Sequence, residues 1–271
     1  MTFTRLLAAR SGTGVMTLAL NRPDQRNALD ETLADEFSAA IDAIRVDPGV
    51  RAVLLGGRGP AFCAGGDLRQ MGQLGEMGAE DAYAWPAAIV ELHQMMLQAP
   101  KPVIAAVNGP AYAGGLGLAG LADVVLASRA ARFAMPEVKI GLFPMIIVAQ
   151  LVRSLPRKLL LEMMMTGEPI DAETAHRVGF VNHVYDGPAE LMAAVDDFGE
   201  RFARVSPQAV RLGRRAFLLL SELPPAQALD AAQFLNLPFF LGADLREGAA
   251  AFLDKRPPSW SEPPDARLRE E

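Results

Sequence analysis

The sequence predicts an α/β fold, a mainly parallel sheet covered by helices and followed by a helical module. Three observations carry that reading. Short apolar, strand-like runs recur at Val50–Leu55, Val103–Val107 and Asp123–Ala127, with room for a crossover between them. The first two runs lead into glycine-rich bends, Phe62-Cys63-Ala64-Gly65-Gly66-Asp67 and Asn108-Gly109-Pro110-Ala111-Tyr112-Ala113-Gly114-Gly115. Beyond Leu151 strand signals nearly vanish. There Pro156–Thr166, Ala172–Val178, Glu190–Val205, Pro207–Leu220 and Pro225–Leu237 read as helices, with one short apolar run at Phe180–Val184.

Taken in order, Leu6–Ala9 and Val15–Leu20 pair as a hairpin through Ser11-Gly12-Thr13-Gly14. Asp30–Arg45 places Leu33, Phe37, Ile41 and Ile44 at helical spacing, with Asp30 as the cap. Gln70–Ala79, rich in Met and Gly, predicts an adaptable flap, and Asp81–Gln98 reads as helical. The stretch Pro102–Ala122 is uncharged and long enough to cross a bilayer. Asn108, Pro110 and several glycines interrupt it, so it reads instead as a buried strand followed by a buried helix, Gly114–Leu121. The expected division is a core over residues 1–195 and a helical module over 196–271.

The 271 residues suffice for a sizeable core, and 51% hydrophobic with 21% charged residues fits a globular protein. A formal charge of −6 argues against a nucleic-acid partner. The single cysteine, Cys63, excludes an intrachain disulfide and points to a reducing compartment. Read as a nucleophile, it lacks a histidine partner identifiable from sequence. Met1–Arg10 has no export signal, so a cytoplasmic protein without a membrane segment is expected. His176 and His183 have no neighbouring carboxylate or thiol at metal-ligand spacing, so no metal site is expected.

The two glycine bends carry the chemistry. Small residues let a ligand approach the backbone closely, and the first N–H groups of a helix lack intrahelical partners. Two such donors aimed at one point would hold negative charge developing on an oxygen. Glu137 follows Pro136 beside the apolar run Ile140–Val148. Partial desolvation there would raise its pKa and suit it to proton transfer.

With these loops placed, the chain resembles the crotonase family, the enoyl-CoA hydratases and isomerases. The matching segments are Leu20-Asn21-Arg22-Pro23, Asn27-Ala28-Leu29, Ala61–Leu68, Ala106-Val107-Asn108-Gly109 and Phe133-Ala134-Met135-Pro136-Glu137. Further matches are Leu159–Gly167, Gly179-Phe180-Val181, Glu247-Gly248 and Phe252-Leu253-Asp254-Lys255-Arg256. The resemblance implies a spiral core of ββα turns and a C-terminal helical part that forms trimers, often paired into hexamers. It implies an acyl-CoA substrate, with coenzyme A as part of that substrate and no separate cofactor. The implied oxyanion donors are the backbone N–H groups of Ala64 and Gly114, and Glu137 is the implied acid/base. CoA contacts are implied at Arg26, Ala28, Gly65, Gly66, Asp67 and Leu68, and at Phe252 and Lys255 toward a neighbouring subunit.

One departure stands out. The family's hydratases carry a second glutamate that activates water, and its place here is Gly117. The resemblance therefore implies isomerisation over hydration, since one carboxylate suffices to move a proton from C2 to C4. Tyr112, Tyr83 and His93 are candidates to reach into the space. The alternatives are a decarboxylase, hydrolase or retro-aldol enzyme of the same family, or a silent CoA-binding protein.

Overall fold

The computed structural model describes residues 3–67 and 77–261. Leu68 and most of the Met-Gly flap lie outside the described residues. Strands β1 (Leu6–Arg10), β2 (Val15–Leu20), β3 (Ala52–Gly57) and β4 (Val103–Val107) belong to the main sheet. Strands β5 (Ala111–Tyr112), β6 (Val124–Ser128), β7 (Arg132–Ala134), β8 (Ile170–Asp171) and β9 (His183–Tyr185) follow. The main sheet has the order β1-β2-β3-β4-β6-β9, and only the β1–β2 pair is antiparallel. A second sheet joins β5, β7 and β8.

Both faces of the main sheet are covered, which is why β3 and β4 read as unbroken apolar runs. Val53, Leu55, Val103, Ala105 and Val107 face the helix Glu31–Val46, meeting Leu33, Phe37 and Ile41 in one core cluster. The alternate residues Leu54, Ile104, Ala106 and Leu126 pack on Leu191 and Val195 of the helix Pro188–Ala203. The Glu31–Val46 helix begins as expected, with the Asp30 carboxylate accepting from Leu33 N–H at 2.9 Å.

Some expectations need correction. The segment 81–98 is two helices, Ala79–Ala84 and Ala87–Leu97, broken at Pro86, whose missing N–H and ring prevent a continuous helix. A boundary after residue 195 falls inside the helix Pro188–Ala203, which seals one face of the sheet, so that helix belongs to the core. The C-terminal helices begin at Pro207. Helices Met145–Leu151 and Ala243–Leu253, and the short strands of the second sheet, were not separated by the sequence pattern. Among the described residues no helix is long and apolar enough to cross a membrane.

The C-terminal helices Pro207–Leu220, Pro225–Leu235 and Leu237–Phe240 bury no residue within the chain. They are tied to the core by polar links. Arg214 Nε donates to both carboxylate oxygens of Asp123 at 2.7 and 2.8 Å, and its Nη1 donates to the carbonyls of Leu97 and Ala99. Truncating this nearly buried guanidinium leaves the Asp123 carboxylate with only the Val103 N–H, and the Leu97 and Ala99 carbonyls without this donor. Arg214→Met is therefore expected to cost about 2 kcal/mol of stability. Denaturant melts check this, and an unchanged midpoint would disprove the linking role.

Candidate active site

The site is assembled by backbone turned unusual ways. Arg26 and Asn27 both adopt left-handed conformations, with φ of 51° and 56°. Asparagine tolerates this region better than most residues because its short amide bonds locally. Here the fully buried Asn27 amide donates to the carbonyls of Arg58, Ala61 and Phe62 at 2.9, 2.8 and 3.1 Å. Its oxygen accepts the Arg22 N–H at 2.8 Å. One carboxamide thus fixes the entrance to the first glycine bend.

That turn decides which amides are free. The Ala64 N–H donates to the Arg26 carbonyl at 2.9 Å, so it is spent on the protein's own backbone. The expectation of Ala64 as an oxyanion donor is corrected on this ground. Leu29 N–H donates to the Gly65 carbonyl at 2.8 Å, and Asp67 N–H donates to the Leu29 carbonyl at 3.1 Å. These two bonds bracket Gly66 and use neither its N–H nor its C=O. Gly66 N–H has no partner among the described residues.

The second bend supplies another free amide. Gly114 is the first residue of the helix Gly114–Gly120, so its N–H has no intrahelical acceptor. Ala113 before it holds φ 50° and ψ −125°, a strained conformation for a residue with a Cβ, costing about 1–3 kcal/mol. Ala113 N–H is anchored to the Ala134 carbonyl at 2.9 Å, as β5 pairs with β7. The two bends touch directly. Tyr112 N–H donates to the Cys63 carbonyl at 2.9 Å, and the Phe62 and Cys63 N–H groups donate to the Pro110 carbonyl. A Cβ on Gly65 would lie 2.6 Å from the Ala113 Cβ, and one on Gly115 would fall on the Cys63 carbonyl.

Gly66, Ala113, Gly114 and Glu137 line one cavity of about 850 Å³, walled by apolar side chains including Trp85, Phe143 and Ile147. Glu137 sits in the 3₁₀ turn Pro136–Ile140, directly after β7, so the small sheet that anchors Ala113 also delivers the carboxylate. Its Oε2 is buried without a hydrogen-bond partner. Burial raises its pKa above the ordinary carboxylate value of 4.5, with its own backbone N–H opposing.

The place of the missing glutamate is filled. A Cβ at Gly117 would lie 2.6 Å from His93 Nε2, 2.7 Å from Ile147 Cγ2 and 2.9 Å from Gln150 Nε2. The buried His93 ring is engaged by main chain on both sides, its Nδ1 2.7 Å from the Ile89 carbonyl and its Nε2 3.2 Å from that of Gly114. Burial lowers its pKa against the pull of these carbonyls. Gln150 donates to the Gly117 carbonyl at 2.9 Å. Neither His93 nor Tyr112 nor Tyr83 is part of the cavity wall, and Tyr83 is 87% exposed.

The other expected residues divide. Gly65 supplies the close approach, with φ of 91°. Asp67 pairs with Arg22 Nη2 at 3.0 Å and is not part of the cavity wall. Arg22 also meets Asp30 Oδ2 at 3.0 Å and donates to the Ala28 carbonyl. Sequence reasoning quoted Arg22 and Asn27 only as parts of motifs and gave them no role. Arg26 is exposed and Ala28 buried, and neither lines the cavity. Phe252 and Lys255 lie at the end of the helix Ala243–Leu253, away from the cavity wall of their own chain, with Phe252 83% exposed. Cys63 is fully buried and its thiol is pushed up to about 12, which removes the nucleophile reading. Among the described residues no cluster of His, Cys, Asp or Glu fits a metal ion.

Because one amide shares its two hydrogens among three carbonyls in a buried turn, Asn27→Ala is expected to cost about 3 kcal/mol. Thermal and denaturant melts of the variant provide the check. A loss below about 1 kcal/mol would show that the bend holds its shape without the carboxamide.

Comparison with known proteins places this geometry. The family profile described as Enoyl-CoA hydratase/isomerase matches residues 10–263. The mitochondrial enoyl-CoA hydratase of Pongo abelii is 33% identical over 258 residues, covering 94% of this chain and 87% of the relative. The 1,4-dihydroxy-2-naphthoyl-CoA synthase of Mycobacterium tuberculosis is 36% identical over 261 residues, covering 90% and 82%. The crystal structure of an enoyl-CoA hydratase from Mycobacterium smegmatis superposes with a TM-score of 0.90 at 34% identity, covering 96% of this chain and all of that one (100%). The α/β fold, the sequence and the two stitched glycine bends lead to one conclusion: the chain belongs to the enoyl-CoA hydratase/isomerase family, the crotonase superfamily.

Proposed function

We propose that the protein isomerises the double bond of an enoyl-CoA thioester, with Gly66 and Gly114 as oxyanion donors and Glu137 as the acid/base. The observation that carries this reading is that Gly66 and Gly114, whose amides have no partner among the described residues, line one cavity with Glu137, whose Oε2 is buried and unpartnered. A thioester carbonyl oxygen seated between the amides would gain charge as a proton leaves C2. Losing one such donor typically costs about 3 kcal/mol of barrier. Glu137 takes the C2 proton of a 3-enoyl thioester, the negative charge spreads from the oxygen to C4, and the same carboxyl returns the proton at C4. The product is the conjugated 2-enoyl thioester.

Isomerisation is favoured over hydration because the space beside Gly117 holds His93, Ile147 and Gln150 side chains. The two polar ones are committed to backbone carbonyls. A side chain at 117 would have to displace these groups, beginning at its Cβ. Assembly into trimers or pairs of trimers is part of the same reading. It is supported by large apolar residues left exposed on the C-terminal helices, among them Leu229 (75%), Phe234 (72%) and Phe252 (83%). A cytoplasmic location is supported by the single, unpaired cysteine.

Purified protein is expected to convert 3-enoyl-CoA to 2-enoyl-CoA rapidly, read by the absorbance of the conjugated thioester. Glu137→Gln should lower kcat by about 10³-fold. The wild-type rate should fall as pH drops through the raised Glu137 pKa, above 4.5, because the base must be ionised. Stability follows the opposite sense. A raised native pKa means that protonation stabilises the fold fully below the unfolded value, and this contribution is lost as pH rises through the native one. Glu137→Gln should therefore raise the melting temperature at pH 7. Rapid hydration of a 2-enoyl-CoA, undiminished in the Gln variant, would overturn the assignment.

A further inference from the structure

We infer that the acyl group accepted by this site is extended and apolar and carries no second carboxylate; the inference rests on the acyl-CoA reading above. The cavity of about 850 Å³ is walled by Trp85, Leu142, Phe143, Met145, Ile146 and Ile147. Several of these large side chains remain wet in the unliganded chain: Met145 is 66% exposed, Phe143 47% and Ile146 37%. An apolar guest that covers them removes this surface from water, and each buried methylene then tightens binding about fourfold. A two-carbon or four-carbon acyl group offers few methylenes with which to cover these side chains.

Charge supplies the second half of the argument. The charged side chains lining the cavity among the described residues are Asp30, Glu31, Asp81 and Glu137, all acidic. Asp30 is balanced by Arg22 at 3.0 Å and Arg5 at 3.4 Å. Glu31 and Asp81 have no ion pair among the described residues. A carboxylate at the far end of an acyl chain would lose hydration and, among the described residues, meet like charges on this wall. An uncharged chain of the same length loses nothing of the kind.

Calorimetric titration of the full chain with coenzyme A, butyryl-CoA, decanoyl-CoA and the ten-carbon thioester ending in a carboxylate tests both halves. Decanoyl-CoA is expected to bind at least thirtyfold more tightly than butyryl-CoA, and at least tenfold more tightly than its carboxylate-ended counterpart. The double variant Glu31→Gln, Asp81→Asn should narrow the second gap. Equal binding of the butyryl and decanoyl thioesters, or of the two ten-carbon thioesters, would overturn the inference while leaving the acyl-CoA reading intact. Failure of coenzyme A and every thioester to bind would remove the acyl-CoA reading, and this inference with it.

Discussion

Two glycine bends meet main chain to main chain, and the meeting fixes the direction of every amide in the site. The contact exists because positions 65 and 115 lack side chains: a Cβ at either would collide with the opposite loop. Once the loops touch, their hydrogen bonds follow by register. Pro110 and Cys63 carbonyls accept from across the gap, and Leu29 runs beside the first bend. Among the described residues, Gly66 and Gly114 are amides that this pairing leaves without a partner and that line the cavity. Their availability follows from the packing of the loops rather than from any property of the glycines alone.

A buried ion network holds this arrangement from behind. Arg22 bridges Asp30, the cap of the Glu31–Val46 helix, to Asp67, the residue after Gly66, and also donates to the Ala28 carbonyl. Taking such charges out of water is costly unless they find opposite charges; here both terminal nitrogens of Arg22 do, while its buried Nε stays unpartnered. The network therefore couples the start of a core helix to the loop that carries a free amide. Ala113 pays a related cost in backbone strain, which the β5–β7 pairing and the Ala134 carbonyl sustain. Strain and buried charge are both concentrated within a few residues of the two open donors.

Gly117 shows how one substitution reshapes the chemistry available to a fold. Its missing side chain leaves no void, because the His93 ring, Ile147 and Gln150 close over it. The polar groups among them are turned toward the carbonyls of Ile89, Gly114 and Gly117 rather than toward the cavity. Ile147 belongs both to this group and to the cavity wall that carries Glu137. The same wall leaves Glu137 poorly solvated, which raises its affinity for the proton it is proposed to carry.

Local sequence determined a good deal of this protein. The Val103–Val107 strand, the helix after Asp30 with its cap, the glycine bends and the glutamate after Pro136 are visible because each depends on periodicity, capping or backbone freedom within a few residues. The break at Pro86 was also legible in principle, since a proline inside a helical pattern removes a donor. Other features were decided only in three dimensions. Strands β5, β7 and β8 are two or three residues long, too short for an alternating pattern, and exist because their partners lie alongside. Whether Ala64 or Gly66 offers its N–H depends on a carbonyl 38 residues earlier in the chain, that of Arg26, reaching one and not the other. Hydrogen-bond partners across such a separation are set by the packed backbone, and residue order alone does not encode which amide they leave free.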